Sequence, residues 1–262
     1  MKQISSFLRI EKRPESIFLA LNKKQHRGSC QWLTSNDVFQ AWVNGYTDMA
    51  GLPGSSSGHC PRILWLSGRP GTGKSIASTH VVKYLESHKL DCSFYFFRHN
   101  DRSGANVASL LRSLAFQMAE ANYQARQAIM RMVEDEVVID EDGHYTLTSN
   151  GSTFRALKFW VIDAVDECAQ ESLSLVVSMV SKLEKTVPLH IFVTRRPGGE
   201  LQRLCNHEGT RFFDLSTGLS GSLKDIETFI HARCPQLEDD QTRELFVSDI
   251  LSKTKEVFPG RR

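Results

Sequence analysis

This sequence predicts an α/β fold in which five parallel strands are covered by helices on both faces, and three observations lead there. Five apolar runs have strand length: 63–66, 92–97, 159–163, 189–194 and 211–215. Helical patterns separate them, with Val107, Leu110, Leu111, Leu114 and Met118 at i, i+3, i+4, i+7 and i+11, and a similar apolar run from Ser172 to Leu183. The first run leads straight into a glycine-rich loop, followed by Ile76, Ala77, His80, Val81, Tyr84 and Leu85 on one helical face. Strands alternating with helices give a parallel sheet buried on both sides.

Composition sets the outer bounds. At 262 residues the chain is long enough for one sizeable α/β domain with smaller attachments, taking about 100 to 200 residues per domain. With 40% hydrophobic and 24% charged residues and a net charge of +2, it belongs to the soluble globular class, without the basic excess that announces nucleic acid. Cys30, Cys60, Cys92, Cys168, Cys205 and Cys234 show neither CxxC pairs nor zinc-finger spacing and follow no secretory leader. They read as reduced thiols of a cytoplasmic protein. No apolar run approaches the roughly 18 residues of a membrane span.

Along the chain, residues 1–50 read as a helical lead-in, with Ile17, Phe18, Leu21, Trp32, Leu33, Phe39 and Trp42 on the apolar sides of short helices. Aromatic residues at such spacing fill cores more often than they form partner surfaces. The Gly/Ser/Pro-rich stretch 51–61 is a flexible linker by composition. The α/β domain occupies 62–216, and 217–262 begins a helical subdomain that is incomplete. Residues 134–153, with Glu134, Asp135, Glu136, Asp140, Glu141 and Asp142, read as a solvated surface loop or hairpin.

The loop itself is Gly68-Arg69-Pro70-Gly71-Thr72-Gly73-Lys74-Ser75, a complete G-x-x-x-x-G-K-S/T pattern. The glycines let successive backbone N–H groups turn toward phosphate oxygens, and the helix beginning near Lys74 and Ile76 adds its positive dipole end. Lys74 is placed to reach the β- and γ-phosphates, and the Ser75 hydroxyl to complete the coordination of Mg²⁺. The fold class is therefore α/β of the P-loop NTPase kind, a three-layer α/β/α sandwich with a five-stranded parallel sheet.

A second acidic element lies in FWVIDAVDE, residues 159–167. Its four apolar residues form a strand whose C-terminal end lies where open parallel sheets bind ligands. Asp163 there can hold Mg²⁺ as a Walker B carboxylate, and Asp166 and Glu167 in the following turn can orient and deprotonate an attacking water. Metal binding by side chains alone is not indicated, since the nine histidines show neither an HExxH pair nor ligand spacing. Cys168 has no histidine partner placed by sequence, so it reads as part of the next helix and not as a nucleophile.

Together LWLSGRPGTGKS (64–75), WVIDAVDEC (160–168) and FVTRRP (192–197) resemble the NACHT NTPases of the STAND class, closest to the nephrocystin-like N-terminal domain of filamentous fungi. The segment Arg27-Gly28-Ser29-Cys30-Gln31-Trp32-Leu33, followed by Phe39 and Trp42, is similar to the lead-in of that domain. The resemblance implies that Thr194 and Arg196 occupy a sensor position at the end of the fourth strand, with Arg196 detecting the γ-phosphate. Arg195 stands where the family usually has a small serine, which implies an extra guanidinium beside the phosphates, and Arg98 after the second strand is a further candidate. The resemblance also implies a sheet order of 2-3-1-4-5, with an extra strand between the loop strand and its usual neighbour. It implies a longer relative with winged-helix, repeat and effector regions, none of which is expected in this chain, and Asp225-Ile226-Glu227-Thr228-Phe229-Ile230 resembles the start of the family's first helical subdomain.

The function expected is a Mg²⁺-dependent switch that binds ATP or GTP and hydrolyses it slowly. Its ligand-binding set is Gly68, Arg69, Pro70, Gly71, Thr72, Gly73, Lys74, Ser75, Ile76 and Thr194; its metal set is Ser75 and Asp163; its catalytic set is Lys74, Asp166, Glu167 and Arg196. The expected partners are the nucleoside triphosphate and further copies of the same domain, with no nucleic acid and no membrane. Three rivals stand beside it: an interaction module holding ADP as a structural ligand, a fragment of a larger NACHT protein, and a small-molecule kinase, which would need an arginine-rich lid and an acceptor pocket.

Overall fold

In the computed structural model, the residues described are 1–10, 13–45, 62–98, 101, 104–134, 158–186, 188–197 and 212–216, with scattered positions in 203–207 and 225–249. Residues 51–61, expected as a linker, most of 217–262 and all but the first residue of the acidic stretch 134–153 lie outside them.

Four helices precede the first strand: α1 (Lys2–Phe7), α2 (Glu15–Lys24), α3 (Gln31–Thr34) and α4 (Asp37–Asn44). Asn36 starts α4 by accepting the Val38 N–H on its side chain, and Gly45 ends it at φ 65°, where a side chain would be strained. Then come β1 (Ile63–Ser67), α5 (Lys74–Ser87), β2 (Cys92–Phe96), α6 (Val107–Ala121), α7 (Tyr123–Glu134), β3 (Lys158–Asp163), α8 (Gln170–Thr186), β4 (Leu189–Arg195) and β5 (Phe212–Ser216). The Asn106 side chain caps α6 by accepting the Ser109 N–H. All five expected strands are present, and α7 is a helix that the apolar pattern did not reveal.

The sheet is parallel, in the order β2-β3-β4-β1-β5. This corrects the expected 2-3-1-4-5. The inserted strand is β4, which pairs with both β3 and β1, so the loop strand lies between β4 and β5. Ser67 is level with Arg195 on one side and Ser216 on the other, and Phe96 with Asp163. The C-terminal ends of β1, β3 and β4 therefore share one edge.

Because side chains alternate along a strand, each strand feeds two cores. On one face Leu64, Leu66, Val161, Phe192 and Phe213 pack with Val81 and Leu85 of α5 and with Leu33, Phe39 and Trp42 of the lead-in. On the other face Ile63, Trp65, Ile162, Ile191 and Val193 pack with Leu110 and Leu114 of α6 and Val176, Val177 and Val180 of α8. Phe39 and Trp42 are fully buried, as their spacing suggested, and the Trp42 indole N–H donates to the Arg62 carbonyl at 2.9 Å. A third cluster, Ile4, Leu8, Phe116, Ala119 and Ile129, holds α1 against α6 and α7. No helix among the described residues is long and apolar enough to cross a membrane.

His190 of β4 lies in the first of these cores, against the rings of Trp42 and Phe159. Burial pushes its pKa down to about 4, despite the opposing hydrogen bond to the Trp42 backbone. A depressed pKa means the folded state resists protonation. The stability it contributes is present above the ordinary imidazole value and is lost as pH falls through the window from there to about 4. A gap of this size corresponds to about 3 kcal/mol. Urea unfolding at neutral pH and near pH 4 is expected to show that His190→Phe loses less stability on acidification than the parent, by about that amount. Equal losses in the two proteins would refute it.

Candidate nucleotide site

The phosphate loop leaves β1 at Gly68, whose N–H donates to the Arg195 carbonyl at 3.1 Å, continuing the β1–β4 ladder into the loop. Gly71 and Gly73 sit at φ 80° and 81°. Gly73 is the N-cap of α5 and no side chain caps it, so the first amides of α5 present their positive end to the loop. The Lys74 ammonium donates to the carbonyls of Gly68 (2.7 Å) and Arg69 (2.8 Å), and the Thr72 hydroxyl to Arg69 (2.8 Å). Arg69, Pro70 and Gly71 are exposed, Lys74 and Ser75 half-buried, and Ile76 packs its side chain against the core.

Asp163 ends β3 at the same edge and is almost wholly buried. Its Oδ1 accepts from the Ser78 hydroxyl of α5 at 2.7 Å and from the Thr194 hydroxyl of β4 at 2.6 Å. Thr194 Oγ1 in turn accepts the Ala164 N–H at 2.8 Å. Burial raises the Asp163 pKa, while the hydroxyls of Ser75, Thr194 and Ser78 and the charge of Lys74 pull it back. Burial lowers the Lys74 pKa, against the pull of Asp166 and Asp163.

Ala164 takes a left-handed conformation (φ 54°), uncommon for a residue with a side chain, and starts the 3₁₀ turn Val165–Glu167. That turn sends Asp166 and Glu167 back toward the end of β4. The Arg196 N–H donates to Asp166 Oδ1 (3.0 Å), its Nε pairs with Asp166 Oδ2 (3.1 Å) and its Nη2 with Glu167 Oε1 (3.1 Å). One guanidinium thus spans both acids of the turn.

Lys74, Ser75, Asp163, Asp166, Glu167, Thr194 and Arg196 are electrostatic or hydrogen-bonded neighbours at one edge. Arg195 is not among them, which corrects its expected place beside the phosphates. Alternation turns it to the opposite face from Thr194, where it is buried, stacks 4.6 Å over the Trp65 ring and reaches Asp214 at 3.5 Å. Arg98 is exposed. Cys168 is buried and its thiol pKa is pushed up to about 11, which keeps it protonated at neutral pH. The residue that sequence reasoning missed is Ser78. Its signal was a pair of hydroxyls, Ser78 and Thr79, inside a helix pattern that read as apolar; both are fully buried.

Ser75 and Asp163 offer only hard oxygen donors, which suits Mg²⁺. The parallel sheet, the glycine-rich loop opening a helix and the carboxylate at the adjacent strand end define a P-loop domain of the nucleotide-binding class. The chain belongs to the family described as Nephrocystin 3, N-terminal, whose family model matches residues 28–196. None of the curated proteins matches the chain.

Among solved structures, Cdc6p from Pyrobaculum aerophilum is similar at 13% identity and a TM-score of 0.34, over 65% of this chain and 42% of that one. Drosophila ORC bound to GC-rich DNA and Cdc6 gives 14% and 0.45, over 87% and 35%. The replication initiator DnaA bound to AMPPCP and single-stranded DNA gives 10% and 0.41, over 84% and 58%. This chain spans less than two thirds of the length of each, and likenesses at these scores add nothing to what the sheet and loop establish.

The raised Asp163 pKa has a measurable sign. A carboxyl whose folded pKa lies above its unfolded value favours the fold while protonated, and that contribution is lost as pH rises through the folded pKa. Asp163→Asn keeps an acceptor for Ser78 and Thr194 without the charge. In chelator at neutral pH its melting temperature is expected to match or exceed the parent's, and the difference to close as pH falls through the raised pKa. A lower melting temperature at neutral pH would contradict this.

Proposed function

We propose that this chain is the nucleotide switch of a NACHT-type STAND protein, binding a nucleoside triphosphate with Mg²⁺ and hydrolysing it slowly. The observation that carries the reading is the convergence of the phosphate loop with the Asp163–Ser78–Thr194 centre on one sheet edge. Lys74 and the loop amides would hold the phosphates, and Ser75 and Asp163 would hold the metal. Bound Mg²⁺ would supply neutralisation of charge on the β- and γ-phosphate oxygens.

Glu167, with Asp166, orients water and takes its proton. Arg196 is within reach of both acids and fixes their direction, and as a γ-phosphate sensor it would divide its charge between phosphate and carboxylates. Thr194 holds Asp163 and the turn at Ala164 in one hydrogen-bond chain. The output we assign to nucleotide exchange is self-association through this domain, in the cytoplasm. Either ATP or GTP fits, because the loop grips what all nucleotides share.

The double pairing of Arg196 favours a second reading, in which ADP is held as a structural ligand. The carboxylate oxygens that would receive a proton from water are already engaged by the guanidinium.

Calorimetric titration with Mg²⁺-ATP and Mg²⁺-GTP tests the first reading. Lys74→Ala is expected to weaken binding by about a hundredfold, the loss of charged hydrogen bonds to phosphate. Unchanged affinity would sink the assignment. Glu167→Gln is expected to leave affinity intact and to lower steady phosphate release by about a hundredfold or more. Phosphate release that is absent from the parent, with ADP recovered on denaturing the protein, would select the second reading.

A further inference from the structure

The lead-in turn 26–34, which contains the segment 27–33 singled out by its sequence, is not used by the nucleotide chemistry, yet it is held from two sides. On one side lies the C-terminal segment around Asp225. Asp225 Oδ1 accepts the Cys30 N–H at 2.9 Å, and Oδ2 accepts the Trp32 indole N–H at 3.2 Å. These partners lie 195 and 193 residues away in the chain. Cys30 is the N-cap of α3, in a left-handed conformation (φ 64°) and without a side-chain cap of its own. Asp225 brings a negative charge to that end from across the chain.

Two further contacts join the same segments. Gly28, at φ 88°, faces the Thr228 methyl, which would lie 3.9 Å from any Cβ placed there. The His26 and Phe229 rings meet edge to face at 5.8 Å.

On the other side lies α5, the helix that begins at the phosphate loop. Its His80 ring is hydrogen-bonded at both nitrogens to the flanks of the turn: Gln25 Nε2 to Nδ1 at 3.0 Å and Thr34 Oγ1 to Nε2 at 3.3 Å. Because Gln25 Nε2 can only donate, Nδ1 accepts and Nε2–H donates to Thr34, a neutral tautomer that the His80 burial favours. The Lys83 ammonium adds a bond to Gln25 Oε1 at 3.3 Å. His80 is six residues from Lys74 in one continuous helix.

We infer that the turn 26–34 couples the docking of the Asp225 segment to the phosphate-loop helix, so that bound nucleotide and docked segment stabilise each other. The inference rests on the nucleotide-binding reading above. None of Asp225, Cys30, Trp32, Gln25, Thr34 and His80 belongs to the phosphate loop, so the effect of docking on affinity passes through Cys30 and Trp32 to Gln25 and Thr34, then through His80 to α5. Coupling between two sites is reciprocal: what docking does to nucleotide affinity, nucleotide does to docking.

The test uses the full chain, with Mg²⁺-ATP and Mg²⁺-GTP titrations and amide hydrogen exchange over 225–249 with and without nucleotide. Asp225→Asn is expected to weaken nucleotide binding about five- to tenfold, within the usual range of coupling between sites. Nucleotide is expected to slow exchange over 225–249 in the parent and to leave it unchanged in Asp225→Asn. Trp32→Phe, which removes one donor and keeps the ring, is expected to give a smaller loss of the same kind, and it serves if Asp225→Asn does not fold. Parent-like affinity in both variants, with exchange over 225–249 indifferent to nucleotide, overturns the inference and leaves the binding reading standing. A parent that binds neither nucleotide overturns both.

Discussion

The buried carboxylate of Asp163 is the constraint around which the rest of the site is arranged. A charge taken out of water without donors costs several kcal/mol. Here the donors come from two different elements, Ser78 of α5 and Thr194 of β4, both converging on one oxygen. The three-way tie fixes the helix that carries the phosphate loop relative to the strand end that carries the acids. It also accounts for the place of β4. Inserted between β3 and β1, that strand brings Thr194 within reach of Asp163 while the Arg195 carbonyl takes the first amide of the loop. At the same register, β1 directly beside β3 would put Leu66, which has no donor, where Thr194 lies.

Alternation along β4 then divides the work among consecutive residues. Thr194 faces α5 and the carboxylate. Arg195 faces the other core, where its charge lies over Trp65 and is met by Asp214, which also accepts the Ser67 hydroxyl at 3.0 Å. Arg196, past the strand, returns to the edge and joins the acids of the 3₁₀ turn. The arginine that the resemblance set beside the phosphates is thus absorbed by the strand ends β1, β4 and β5, away from the phosphate loop.

Much of this was legible in the sequence, for physical reasons. Strands buried on both faces read as apolar runs, and the runs at β1, β3 and β4 show this most plainly. The loop must have glycine where φ is positive, and Gly71 and Gly73 meet that need. Asp163 betrayed itself as an acid ending an apolar run. Strand order was not legible, because largely apolar strands carry no mark of their neighbours, and the order taken from resemblance exchanged β1 and β4. Ser78 was hidden because a buried hydroxyl has the same pattern as an exposed one until its partner is known. Asp225 and Trp32 were hidden by nearly two hundred residues of separation. Arg195 could have been placed from sequence alone: adjacent residues of a strand face opposite ways, so Thr194 and Arg195 cannot both serve the same site.

The central claim is that Asp163 serves as the metal carboxylate of a nucleotide site and not merely as a buried structural acid. The most direct measurement is triphosphate affinity with and without Mg²⁺, in the parent and in Asp163→Ala. The parent is expected to bind about tenfold or more tightly when Mg²⁺ is present, and Asp163→Ala to keep its metal-free affinity while losing most of that gain. A full Mg²⁺ gain in Asp163→Ala would contradict the claim.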